Sequence, residues 1–374
     1  MVSIARSSLI YDWRRYLAAV LAITFAGLLV VVQLALLLGL FGSVSAVIDK
    51  SSADLWIGFR NTQSVDIARS ISASSDASAW THPGVRRVER YAAAFGDLRR
   101  SDGVPVSVYL NAIDATPDGL AYRRLLSPMQ RALLREPDVI LIDTADARKL
   151  GGQIGKVVEI NGKRAYIVGL VEGLRSVGGV NVLASYATAR SLSPETANQT
   201  TFFLVQLRPG FEPDQVAREI ADNSALPRYT VWTSQAFSKA SQTYWLLESG
   251  AGIGSGFASV LALIVGIVIT SQTLAAAILA SIKEFAALRA LGVSRRSLRA
   301  VVIEQSLWVG AIGLAIAAAL TLLIAWLGDT YRIAMAFPWW MLTTVAVTMM
   351  VIAVLSGLVA LRPLLNAEPA SLLR

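Results

Sequence analysis

Cysteine is absent from all 374 residues, which excludes a disulfide framework, thiol catalysis and a zinc–thiolate site. Histidine occurs once, at His82; a metal cluster built on histidines is therefore excluded, and no Ser-His-Asp triad is read around it. Beside Pro83 it reads as a turn residue. Charge is scarce, at 16% of residues against 54% hydrophobic, a balance that points to a membrane protein rather than a soluble enzyme. The net charge of +8 is not gathered into a basic stripe interleaved with aromatics, so nucleic acid is not an expected partner.

Long stretches have no charged residue at all. They run from Arg15 to Asp49, from Glu248 to Lys283, from Glu304 to Asp329 and from Arg332 to Arg362. Each exceeds the roughly 20 residues that cross a bilayer. The expectation is four transmembrane helices near Tyr16 to Phe41, Ile253 to Ala280, Gln305 to Leu327 and Trp339 to Leu361. The first is too long for a signal-peptide core of roughly 7–15 apolar residues and should remain as an anchor.

Orientation follows from the short loops. Arg6, Arg14 and Arg15 before the first span, the cations after the second, and Arg362 and Arg374 after the fourth belong on the cytoplasmic side. Only Arg332 lies between spans three and four, so that loop faces outward. The fold class is thus membrane α-helical, with an extracytoplasmic α+β domain inserted between helices 1 and 2. The expected divisions are 1–48 for the N-terminus and first span, 49–233 for the outer domain, 234–282 for a stalk and second span, 283–304 for a cytoplasmic coupling segment, and 305–374 for spans three and four.

Within the outer domain, Asn161-Gly162 between KVVEI and RAYIVGLVE is the strongest hairpin signal, because both residues tolerate positive φ. A second hairpin is expected at Ser101-Asp102-Gly103. DVILI and FFLVQL, from Asp138 and Phe202, read as buried strands; a helix from Pro213 to Asn223 and a strand near Tyr229 to Trp232 follow. A polar helix from Ser234 to Glu248, if continuous into the second span, would be a rigid stalk.

No motif proposes an active site. GGQIGKVV, from Gly151, has three residues between its outer glycines and Val157 after its lysine, whereas a phosphate loop needs four residues and then Lys-Ser or Lys-Thr. It reads as a turn before a strand. Asp143 and Asp146 fit a helix start better than acid–base catalysis. Gly250, Gly252, Gly254 and Gly256 form overlapping small-xxx-small patterns that suit close helix contact, the alternative being a flexible junction.

The segment KEFAALRALGVSRRSL, Lys283 to Leu298, lies between two of the most apolar stretches. Phe285, Leu288 and Leu291 share one side of a short helix, Gly292 suits its C′ position, and Ser294 suits the N-cap of a helix running into the third span. A topology signal would need only the cations; a docking knob for another protein also needs the apolar anchors and the elbow.

KEFAALRALGVSRRSLRAVVIEQ resembles the segment after the second span in FtsX/MacB-like permeases of ABC transporters. Glu284, Leu288, Arg289, Leu291, Gly292, Ser294, Arg295, Arg296 and Glu304 fall on that pattern, and Val293 departs from the small residue expected after the glycine. The closing AEPASLLR, with Pro369, Leu373 and Arg374, resembles the family's ending, and DLWIG followed by SVDIARSI resembles the start of the outer domain in DevC-type exporters. The resemblance implies a homodimeric or pseudo-symmetric permease on separate ABC ATPase subunits. ATP and Mg would lie on the ATPase, with no cofactor on this chain. It also implies coupling by mechanotransmission, a periplasmic adaptor and outer-membrane channel as possible partners, an inner-membrane location, and a glycolipid or other amphiphile as cargo. Two alternatives share the architecture: an FtsX-like signalling relay and a lipoprotein-extracting permease.

Overall fold

The computed structural model describes residues 11, 13–100, 102–151, 153–176, 179–222, 229–281, 287, 293–331 and 333–361. Two compact units share the chain, one made of Met1–Gly39 with Ile253–Arg374 and the other of Leu40–Gly252.

The first unit is built on four helices, Trp13–Val44, Gly250–Ala280, Arg295–Thr330 and Trp339–Ala360, each long and apolar enough to cross a membrane. They match the four expected spans. The first span is the most enclosed, with 50% of its apolar window buried against 17% for the second. Tyr16, Ala19 and Ile23 of the first span pack with Leu274 and Ile278 of the second, Leu298, Val302 and Val309 of the third, and Ala353 of the fourth. Two glycines permit this closeness. A Cβ at Gly266 would lie 2.7 Å from the Cβ of Ala26, and one at Gly313 would lie 3.0 Å from that of Ile23. In lipid such contacts stand in for the missing hydrophobic drive between helices. Thr24 adds a hydroxyl that donates to the carbonyls of Val20 at 2.9 Å and Gly313 at 3.0 Å.

The second unit is α+β. Its strands are β1 (Leu55–Phe59), β2 (Ile71–Ser72), β3 (Val85–Arg99), β4 (Pro105–Ile113), β5 (Val139–Asp143), β6 (Val157–Ile160), β7 (Lys163–Val171), β8 (Val180–Ser185), β9 (Gln199–Thr200), β10 (Phe202–Leu207) and β11 (Tyr229–Thr233). Both expected hairpins form, β3 with β4 and β6 with β7. Asn161 and Gly162 have φ of 49° and 79°, both positive as a type I′ turn requires.

The main sheet runs β11-β1-β10-β3-β4-β8-β5-β7-β6, and β6 then pairs back onto β3. The 15-residue β3 is the organiser. Its first half pairs with β10 and its last residues with β6, so six strands from β3 round to β6 close into a barrel while β10, β1 and β11 form a wing. Leu98, Leu110, Ile140, Ile142, Ile160, Ile167 and Val182 fill the barrel. Closure removes the open edges that would otherwise invite pairing with other chains.

FFLVQL is apolar at every position but Gln206 because both faces of the wing are covered. Phe203 and Val205 face Val216 and Ile220 of the helix Pro213–Asp222. Phe202 faces the other way, into an aromatic knot with Trp56 at 5.4 Å and Phe237 at 5.3 Å between ring centroids. Phe237 belongs to the helix Ser234–Thr243, so the expected stalk is anchored to the wing by its own side chain.

Candidate functional site

The third span begins as its sequence predicts. Ser294 is the N-cap, with φ −67° and ψ 151°, and its hydroxyl accepts the Ser297 N–H at 3.2 Å. From there a single helix of 36 residues runs to Thr330. Its first turns are two-sided: Leu298 and Val302 are buried in the bundle core, while Arg296, Ser297 and Arg299 are exposed. Glu284, Leu288, Arg289, Leu291 and Gly292 lie outside the described residues, as does the side chain of Arg295. The expected short helix and elbow therefore fall there too.

The stalk differs from expectation. The helix Ser234–Thr243 does not continue regularly to Glu248; Tyr244–Glu248 form a π turn, and Ser249 is extended, with φ −78° and ψ 140°. Ser249 then caps a new helix, its hydroxyl accepting the Gly252 N–H at 3.3 Å. The reason is tertiary. The Trp245 indole N–H donates to Asp66 at 3.1 Å, and Gln63 donates to Glu248 at 3.1 Å. Earlier on the stalk, the Ser241 hydroxyl accepts the Val65 N–H at 3.2 Å and Gln242 donates to Ser45 at 2.7 Å. These bonds hold the segment 63–66, and Ser45 before it, against the stalk, and turning Trp245 toward Asp66 takes the extra residue that a π turn supplies.

The four glycines separate. Among the described residues, a Cβ at Gly250, Gly254 or Gly256 would meet nothing within 4 Å, so those positions offer bare helix surface. A Cβ at Gly252 would fall 2.2 Å from the Trp245 carbonyl oxygen and 2.3 Å from that of Leu246. Gly252 is thus required locally, by the close approach of the new helix to the π turn.

The remaining candidates take structural roles. Asp143 and Asp146 do not start a helix: Asp143 ends β5, and the residues after it form successive turns. The Asp143 carboxylate accepts four backbone N–H groups, from Ala145 at 2.7 Å, Gly173 at 3.0 Å, Leu174 at 2.7 Å and Arg175 at 3.1 Å. It pins the loop that follows β7. Gly151 and Gly155 occupy turns with φ of 62° and 87° before β6. His82 lies in a turn, accepts the Gly84 N–H on Nδ1 at 3.0 Å and meets Glu219 through Nε2 at 2.7 Å, a contact that lowers the Glu219 pKa. Among the described residues no three His, Asp or Glu side chains gather as metal ligands.

Sequence reasoning missed Glu89. It is 4% exposed in the middle of β3, and its carboxylate accepts the Leu120 N–H and, at 3.3 Å, the Ala121 N–H. Burial pushes its pKa up to about 7 despite those hydrogen bonds. Around it, Arg87 donates to Asp114 at 2.6 Å and Arg131 donates to the carbonyl of Asp114 at 2.9 Å. The alternation of β3 places Glu89 on a covered face, but the groups that satisfy it come from a loop some thirty residues on.

Comparison with known proteins gives two family matches: residues 16–223 to the MacB-like periplasmic core domain and residues 256–369 to the FtsX-like permease C-terminal domain. Among solved structures, the chain is similar to the periplasmic region of MacB from Actinobacillus actinomycetemcomitans, at 13% identity and a TM-score of 0.36, covering 51% of this chain and 94% of that one. It is also similar to the extracellular domain of the ABC-type transporter YknZ from Gram-positive bacteria, at 18% identity and a TM-score of 0.33, covering 48% and 99%. Curated proteins gave no match. With the MacB-like core domain alone spanning more than half of the chain and the permease domain following it, this protein belongs to the FtsX/MacB family of ABC-type permeases and is a membrane protein with a periplasmic domain.

Proposed function

We propose that this chain is the membrane subunit of an ABC exporter whose ATPase is a separate chain. The segment from Lys283 to Leu298 is where that ATPase docks. The observation that carries this reading is the continuity of the third span: exposed cations at its first turn and core residues Leu298 and Val302 belong to one unbroken helix. A displacement imposed on the segment would reach the bundle core without a joint to absorb it. In this reading Leu288 and Leu291 enter a groove on the ATPase, Gly292 turns the chain, and Glu284, Arg289, Arg295 and Arg296 meet polar groups at the rim.

Closure of the ATPases would then move spans and stalks, and the periplasmic domain would follow. The scarcity of ionisable residues in the spans favours such mechanotransmission over a polar channel, since intramembrane charges mark polar substrate paths. The cargo would be lipid-like or amphiphilic, as in the DevC-type branch. The assembly would be a dimer in the inner membrane, with Gly254 and Gly256 among the surfaces offered to the second subunit and an adaptor and outer-membrane channel beyond it. ATP and Mg would be held by the ATPase alone.

Co-purification with the cognate ATPase tests the docking step. Central apolar contacts dominate most interfaces and rim charges mainly set approach. Leu288→Asp with Leu291→Asp should abolish recruitment while the protein still inserts in the membrane. Arg295→Ala with Arg296→Ala should weaken it less, and most visibly at low salt, where rim charges are least screened. Wild-type recruitment by a folded double-Asp variant would reduce the segment to a topology signal.

A further inference from the structure

A cavity of about 600 Å³ lies on the periplasmic domain beside the first half of β3. This is within the roughly 300–1,000 Å³ typical of small-molecule sites. Arginines reach it from three separate elements: Arg90 from β3, Arg135 from just beyond the helix Pro128–Leu133, and Arg190 from the helix Tyr186–Leu192.

Two acids also line the cavity, and both are engaged elsewhere. Asp114 is paired with Arg87 at 2.6 Å and accepts the Thr116 N–H at 2.8 Å. Glu89 is buried with its oxygens turned to the backbone N–H groups of Leu120 and Ala121. Its raised pKa further reduces the negative charge it presents near neutrality. Arg135 and Arg190, by contrast, form no ion pair among the described residues. The field inside the cavity is therefore positive, and a concave low-dielectric wall concentrates it. Guanidinium groups are matched to oxyanions through paired N–H donors. One fork satisfies a planar carboxylate, whereas two forks from separate elements suit the tetrahedral oxygens of a phosphate.

We propose that this cavity is a binding site for a phosphate-bearing small molecule, held by Arg135 and Arg190. The site is independent of the transport reading: it belongs to the periplasmic domain and requires neither the ATPase nor a second subunit. The phosphate could belong to a lipid headgroup or to a soluble ester, and the chemistry recognised is the same.

Titration calorimetry on the full chain in phosphatidylcholine nanodiscs tests it, with dihexanoyl phosphatidic acid and inorganic phosphate as probes. At least one should bind saturably, with an affinity that falls as salt is raised. Binding of the lipid probe alone assigns a lipid headgroup, and binding of both assigns the phosphate group itself; either supports the site. Arg135 and Arg190 are exposed, so Arg135→Ala with Arg190→Ala should leave the fold intact, which an unchanged melting temperature verifies. The loss of two charge-assisted contacts should weaken binding roughly 10-fold or more. Arg190→Glu should abolish it, and Arg190→Lys should retain part of it. Absence of saturable binding by both probes, or wild-type affinity in the double Ala variant, overturns the proposal.

Discussion

At the scale of single residues, Glu89 carries the clearest energetic consequence. Its pKa is about 7 in the folded protein against an ordinary value of 4.5, with burial the main cause. Between those two values the native state holds a proton that the unfolded chain has released. Its contribution to stability is therefore complete below about pH 4.5 and lost as pH rises through 7, amounting to about 3 kcal/mol at about 1.4 kcal/mol per unit. Glu89→Gln keeps an acceptor for the Leu120 N–H, gives up the longer bond from Ala121, and removes the titration. Thermal melts of the full chain between pH 5 and pH 8 should fall with pH for the wild type and much less for the variant, which should be the more stable at pH 8. Parallel profiles would mean that the carboxyl does not titrate in this window. No reading of VRRVERYAAAF singles out Glu89, because alternation reports which face a residue takes and not what that face meets. The Asn161-Gly162 turn was legible because its conformation depends on those two residues alone. Asp143 was misread for the same reason in reverse: three of its four N–H donors, on Gly173, Leu174 and Arg175, are brought to it by the parallel pairing of β5 with β7, which its neighbours in sequence do not reveal.

At the scale of elements, the break in the stalk decides how the glycines should behave. A methyl at Gly252 cannot be accommodated, since the atoms it would meet are backbone carbonyl oxygens at 2.2 and 2.3 Å. Gly252→Ala should therefore lower the melting temperature of the full chain. Gly254→Ala and Gly256→Ala should not, because both positions are open and alanine gains up to about 1 kcal/mol over glycine in a helix. Trp245→Phe, which keeps the ring and removes the donor to Asp66, should cost about 1 kcal/mol. Equal effects at all three glycines would leave the joint without a special role for Gly252. Helical periodicity carried the prediction correctly through Ser234–Thr243 and then failed at YWLLE. Its residues are ordinary helix neighbours; the π turn is imposed by Asp66 and Gln63, far away in sequence.

At the scale of the whole molecule, what was legible is what depends on composition over a long window. The four charge-free stretches became four helices because crossing a bilayer demands length and apolarity and little else. The barrel was not legible, since its closure rests on Leu98 meeting Ile160 and Arg99 meeting Glu159 across a long loop. Orientation is an expectation of the same kind, because it follows from where lysine and arginine fall in short loops. Ser297 sits in the exposed first turn of the third span, Thr330 ends that helix, and Glu136 lies on the surface of the periplasmic domain. The chain has no cysteine, so a single introduced thiol gives an unambiguous signal. In cells with a permeabilised outer membrane, a membrane-impermeant maleimide should label Glu136→Cys and Thr330→Cys. It should reach Ser297→Cys only once the inner membrane is also opened. Labelling of Ser297→Cys in cells whose inner membrane is intact would invert the third span. It would put the basic segment on the side away from ATP, and the docking proposal would fall with it.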